Sequence, residues 1–227
     1  MAPPSTPNSF PSSEMFDDLI IIEVGTGDTK RTFEVFKGVL CFYSAYFSSA
    51  LNGRFRESTE GVIKLPTEDP LIFDLFHHWL FTRRLFDSTL EPSSLLDYRT
   101  IAKLWIFADA HLVPLLQNTI ADIFAEKMMT SVTAPDSQTI DFIYENSSQG
   151  SLLRYTVVQS IRHMTDPDDL CSVATVEHCK EEMDDAESLN YALGTQKLVK
   201  ASAAVHTSWL YERCCERHVH DGENCMA

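Results

Sequence analysis

The sequence predicts an α+β fold in which helices dominate: a small sheet flanked by helical hairpins, followed by an all-helical C-terminal extension. Three observations predict it. Short runs rich in β-branched and aromatic residues, at Leu19–Val24, Thr32–Phe36 and Val62–Leu65, fall in the first third of the chain. From Asp69 onward apolar residues recur at helical spacing. Beyond Thr130 the signal is entirely helical.

Each element has its own warrant. Leu19–Val24 ends at the turn cluster Gly25-Thr26-Gly27-Asp28, so it and Thr32–Phe36 read as a hairpin. Leu40, Tyr43, Phe47 and Leu51 fall at i, i+3, i+7 and i+11, one apolar stripe along one helix. Ser44 is then a mid-helix residue. Gly53 lies just past the stripe, where a helix end accepts positive φ. Pro66 closes the third strand, and Asp69-Pro70 reads as an N-cap with proline in the first turn. Phe73, Phe76 and Leu80 make the face of that helix. After a loop around 90–94, Ile101, Leu104, Trp105 and Ala108 give the next face. Pro114 opens a helix carrying Leu116, Ile120, Ile123 and Phe124.

In the extension, Asp136 caps a helix containing Ile140, Ile143 and Tyr144. Ser151 precedes another with Leu153, Val157, Ile161 and Met164. Asp166-Pro167 repeats the cap-plus-proline start, 177–187 reads as a solvated acidic face, and a last helix is expected over 186–213.

Composition excludes several classes. Of 227 residues, 44% are hydrophobic and 11% aromatic, enough for a packed core. Acidic residues outnumber basic ones 33 to 18, for a formal net charge of −15. Nucleic-acid affinity rests largely on Lys and Arg neutralising phosphates, so this balance argues against it. Residues 1–15, rich in Pro, Ser and Thr, have neither a basic start nor an apolar run; they read as a disordered lead-in and not a signal peptide. No apolar run reaches the ~20 residues that span a bilayer. The expectation is a soluble intracellular protein, cytoplasmic or nuclear or both. Its six cysteines are then expected to be reduced thiols or metal ligands. There is no phosphate loop, dinucleotide fingerprint or HExxH, and Ser44 has no recognisable catalytic partners. The sequence predicts no enzyme.

An ordered set of motifs resembles the BTB/POZ domain, in the form found in small fungal proteins. It starts at Asp18-Leu19 and runs through Lys37-x-x-Leu40-x-x-x-Ser44-x-x-Phe47 and Asn52-Gly53-x-Phe55-x-Glu57-Ser58. Ile63-x-Leu65-Pro66, Pro70-x-x-Phe73 and Trp79-Leu80-Phe81-Thr82 follow, then Phe107-Ala108-Asp109 and Val113-Pro114-x-Leu116-Gln117-Asn118. The likeness to the fungal group continues through Tyr144-Glu145-Asn146 and Ser151-x-Leu153-Arg154, and into a tail with Cys214, Cys215, His218, His220, Gly222 and Cys225. One departure is Phe36, where the family usually has histidine. A ring that can only pack replaces one that reaches polar partners.

The resemblance implies a BTB/POZ fold over 16–128, a helical extension over 129–213 and a Cys/His tail over 214–227. It implies work by protein–protein interaction, with homodimerisation through Met15, Phe16, Leu19 and the rim of the Leu40–Leu51 helix. Asp18 and Lys37 resemble the charged pair near the family's dimer pocket; the bland alternative is two surface charges. Phe55-Arg56-Glu57 resembles the apolar-x-acid step by which BTB adaptors grip a cullin scaffold of ubiquitin ligases. Against that, Phe55 can fold onto the core and Glu57 can be a solvated charge. A scaffold or self-assembly role without ligase activity is the alternative function. The tail residues Cys214, Cys215, His218, His220 and Cys225 include enough thiols and imidazoles to hold zinc, although their spacing is not a standard one. Without zinc there, no cofactor is expected; with it, the chain reads as a zinc-stabilised regulator.

Overall fold

The structure, a computed structural model, describes residues 10–53, 61–85, 95–130 and 135–164. Of these, the residues up to 96 together with 103–117 form one compact unit, and 97–102 with those from 118 on form a second. The expected loop around 90–94, the Asp166-Pro167 helix start and the helix over 186–213 lie outside the described residues.

Three strands build the sheet of the first unit: β1 (Leu19–Val24), β2 (Arg31–Phe36) and β3 (Val62–Leu65), in the order β2-β1-β3. β1 and β2 pair antiparallel, with Leu19 opposite Phe36 and Val24 opposite Arg31. β3 joins β1 in parallel, with Ile22 opposite Ile63. Because side chains alternate along a strand, β1 buries Ile20, Ile22 and Val24 and leaves Leu19 and Ile21 facing outward.

β2 is an edge strand, and edge strands carry unpaired backbone groups that must be managed. Here helix α3 (Pro70–Thr82) runs along it. Arg31 pairs with Asp74 at 3.2 Å. Next along the edge, His77 Nε2–H donates to the Glu34 carbonyl at 3.1 Å, and Phe81 meets Phe36. α3 begins as the sequence predicts: Asp69 accepts the Leu71 N–H at 3.0 Å, and Pro70 fills the first turn. Its inward face buries Phe73, Phe76, Trp79 and Leu80, each side chain contributing roughly 1.5–3 kcal/mol by leaving water.

The single helix expected across Leu40 to Leu51 is two helices, α1 (Lys37–Tyr43) and α2 (Ala45–Asn52). Ser44 between them is extended (φ −126°, ψ 115°), so it is a junction and not a mid-helix residue. Its buried Oγ accepts the Phe47 N–H at 3.1 Å, capping α2, and donates to the His111 carbonyl at 2.6 Å. Leu40, Tyr43, Phe47 and Leu51 are nevertheless all buried. The apolar phase carries across the break. Gly53 has φ −78°, so it makes no use of glycine's left-handed freedom. Among the described non-glycine residues positive φ falls on Arg83 (58°), which ends α3, and on Leu112 (52°).

The lead-in orders earlier than expected: Ser13–Phe16 forms a 3-10 helix that packs on α1. Gly38 makes the close approach possible. A Cβ there would stand 2.5 Å from the Met15 carbonyl oxygen.

Helices α4 (Tyr98–Ala110) and α5 (Pro114–Thr130) contribute residues to both units. In the first, Leu104, Trp105, Phe107, Ala108, Val113 and Leu116 are buried. The second adds α6 (Ser137–Asn146) and α7 (Leu152–Met164), with Ile140, Ile143, Leu153 and Val157 buried. Asp136 caps α6 by accepting the Thr139 N–H at 2.7 Å, and hydrogen bonding from the Thr139 hydroxyl, with that N–H, holds its carboxyl below its ordinary value. Arg154 gathers the C-terminal end of α6, donating to the Tyr144 and Ser147 carbonyls. Together the units make an α+β fold with a helical extension.

Candidate protein-interaction surface

An aromatic row runs from the core to the surface at one end of the sheet. Phe73 and Phe33 are buried and in contact, with ring centroids 4.7 Å apart. The row continues through His77 (5.4 Å from Phe33) to Phe81 (5.1 Å from His77). Phe36 lies 6.1 Å from Phe81 and 5.3 Å from Phe16, edge to face in both cases. Such pairs contribute about 0.5–1.5 kcal/mol beyond their buried area. The outer members remain in water: Phe16 is 40% exposed and Phe81 42%. Leu19, across the ladder from Phe36, is 56% exposed, and Ile21 follows on the same strand face.

Farther along β1 that face turns polar. Glu23 pairs with Lys30 at 2.9 Å and approaches Lys64 at 4.0 Å. The hydrogen bond from Lys30 holds its carboxyl below the ordinary value. One sheet face therefore carries an apolar end and an ionic end.

The sequence-predicted residues fall on this map unevenly. Phe16 and Leu19 belong to the apolar end, and Met15 anchors it by lying against Gly38. Phe36 sits half-buried between two aromatic rings, a position a packing side chain fills well. The charged pair implied at Asp18 and Lys37 takes another form: Lys37 N–H donates to the Asp18 carbonyl at 2.7 Å, a backbone link. Asp18 is exposed, and the two side chains make no ion pair. Lys37 acts instead on Cys41, whose thiol is pushed up by burial against the pull of the ammonium.

Phe55 and Glu57 lie outside the described residues, as do Cys214, Cys215, His218, His220 and Cys225. Among the described residues no group of three or more His, Cys, Asp or Glu side chains is placed to hold a metal. No helix there is long and apolar enough to cross a membrane.

Phe81 and Ile21 complete the apolar end, although neither is among the residues the sequence assigns to a partner surface. Both had a signal. Phe81 falls off the Phe73–Phe76–Leu80 face, and Ile21 has the outward parity of its strand, so each large apolar side chain points away from the core. Exposed apolar side chains that adjoin one another mark binding surfaces more often than scattered ones do.

Comparison with known proteins agrees with this picture. No curated protein matches the chain. The family model of the BTB/POZ domain matches residues 8–111, a span that holds all three strands, the broken α1–α2 helix and α3. Over residues 8–111 the chain therefore matches the BTB/POZ domain, a protein–protein interaction module.

Proposed function

We propose that this domain self-associates, and that two copies meet through the apolar end of the sheet: Phe16, Leu19, Phe36 and Phe81, with Met15 holding the 3-10 helix in place. The observation that carries the reading is the aromatic row, rigidly continuous with the core yet open at its outer end. A preorganised apolar anchor loses little side-chain freedom on binding. At −15 a second copy is repelled at long range, so the contact draws on apolar burial and strengthens as added salt screens the repulsion. Sedimentation equilibrium tests it. Leu19→Asp and Phe16→Asp each raise the dimer dissociation constant at least about thirtyfold, as expected of a residue worth ~2 kcal/mol at an interface. A wild-type chain that stays monomeric at high concentration refutes the reading.

A second reading concerns the client side. The step Phe55-Arg56-Glu57 lies between α2 and β3, where the resemblance to BTB adaptors puts their cullin grip. On this reading the chain is a ubiquitin-ligase adaptor of the small fungal type, and the extension carries client recognition. Phe55→Ala then abolishes capture of a purified cullin. No capture by the wild type leaves a scaffold without ligase function, and undiminished capture by Phe55→Ala takes this step out of the cullin grip.

A further inference from the structure

His111 occupies the corner between α4 and α5, its side chain 6% exposed. The ring stacks on Phe107 at 4.2 Å and on Phe47 at 5.2 Å, and the Tyr46 ring stands edge-on at 5.0 Å. Nδ1 lies 2.9 Å from the Phe107 carbonyl oxygen. A carbonyl can only accept, so Nδ1 carries the hydrogen and the neutral ring keeps a bare lone pair on Nε2. That lone pair faces Glu68 Oε1 at 3.9 Å. At that distance the two acceptors make no hydrogen bond with each other.

The backbone of the same corner holds the α1–α2 break. The His111 carbonyl accepts the Ser44 hydroxyl at 2.6 Å, and the Leu112 carbonyl accepts the Ala45 N–H at 3.3 Å. Leu112 does so from left-handed backbone, φ 52°, which costs a residue with a Cβ about 1–2 kcal/mol. Among the described residues few ionisable groups surround the ring. Glu68 faces the ring from the β3–α3 loop and Tyr46 from α2. Asp109 of α4 is bonded to Gln117 of α5, and Asp69, next to Glu68, is paired with Lys103. Glu68 is the charge that acts on the imidazole.

We propose that His111 and Glu68 form a proton-operated latch over the α1–α2 break. With the ring neutral the corner is closed. With the ring protonated, the imidazolium seeks water and the corner opens, so that Ser44 and Ala45 lose their carbonyl partners and the surface around Tyr46 and Leu112 is remodelled.

The sign follows from burial. Burial holds His111 below its ordinary value of 6.5, against the upward pull of the Phe107 carbonyl and the Glu68 carboxylate. An open corner restores the ordinary value. The closed corner thus keeps its full stability above about pH 6.5 and loses it as pH falls toward the lowered value, by up to about tenfold in the open-to-closed ratio per pH unit.

Hydrogen exchange of the full chain reads this directly at the Ala45 and Phe47 amides. Between about pH 7.5 and 5.5 their protection factors fall by up to about tenfold, while those of the β1–β2 ladder stay level. In His111→Gln the fall disappears. In Glu68→Gln, which removes the charge favouring imidazolium, the fall grows. Level protection in the wild type overturns the latch, and so does a fall that His111→Gln retains. Should His111→Gln not fold, a fall in Glu68→Gln no larger than in the wild type overturns it equally.

Discussion

The first unit contains two aromatic assemblies of similar make and opposite exposure. Around Phe47, the rings of Phe76, His111 and Tyr46 close over one another, and only Tyr46 reaches solvent. Around Phe36, the rings of Phe16 and Phe81 stay open. Edge-to-face contacts occur in both, so ring geometry does not distinguish them. Exposure does. In the closed assembly apolar burial is spent within the chain and appears as stability. In the open one it is withheld until something covers it, and appears as affinity.

The largest effect expected from this contrast is a divergence between two truncations of the same side chain. Phe47→Ala empties a fully buried site and costs about 3–5 kcal/mol, read as a fall in the urea midpoint at unchanged slope. Phe16→Ala removes a ring that is 40% exposed and costs under about 1 kcal/mol, while weakening self-association. Equal stability losses would break the comparison, because Phe16 would then be part of the core in all but exposure.

Ser44→Ala sharpens the closed side. The hydroxyl makes two bonds, capping Phe47 N–H and satisfying the buried His111 carbonyl. Its loss leaves both groups unpartnered, at about 1–3 kcal/mol. Ser44→Thr keeps the oxygen and separates lost bonding from lost fit. If alanine is tolerated without cost, the junction is held by Phe47 packing and not by the hydroxyl.

What the sequence disclosed follows the same division. The sheet, the Asp69 and Asp136 caps and the buried faces of α3 and α4 were legible, because each depends on local periodicity or a local cap. The break at Ser44 was not. Leu40, Tyr43, Phe47 and Leu51 keep their spacing through it, and the hydroxyl's partner is His111, 67 residues away. A periodicity argument detects which face is buried and is blind to a residue that leaves helical geometry without changing the phase. The backbone link between Asp18 and Lys37 was hidden for a related reason: side-chain charge suggests an ion pair, whereas the bond observed uses atoms common to every residue. The aromatic row was half legible. Phe16 and Leu19 stood out near the N-terminus, but their continuity with Phe81 exists only once α3 lies along β2.

The smallest effects expected lie at the two left-handed residues that are not glycine among the described residues, and they carry opposite signs. Leu112 and Arg83 both hold positive φ, where glycine relieves strain of about 1–2 kcal/mol and gives back roughly 0.5–1 kcal/mol through a freer unfolded chain. The Arg83 guanidinium lies 4.4 Å from the centre of the Trp79 ring and 5.1 Å from that of Tyr43. Arg83→Gly therefore also forfeits cation–π attraction of up to about 2 kcal/mol and comes out destabilising. The Leu112 side chain is 54% exposed, so Leu112→Gly leaves stability unchanged or raises it by under about 1 kcal/mol. Paired urea titrations decide between backbone and side chain as the reason for each residue. If Leu112→Gly is stabilising and leaves self-association intact by sedimentation equilibrium, the leucine is a tolerated strain. If stability holds while self-association falls, the strained backbone presents an apolar contact, and the closed assembly has an interactive rim of its own.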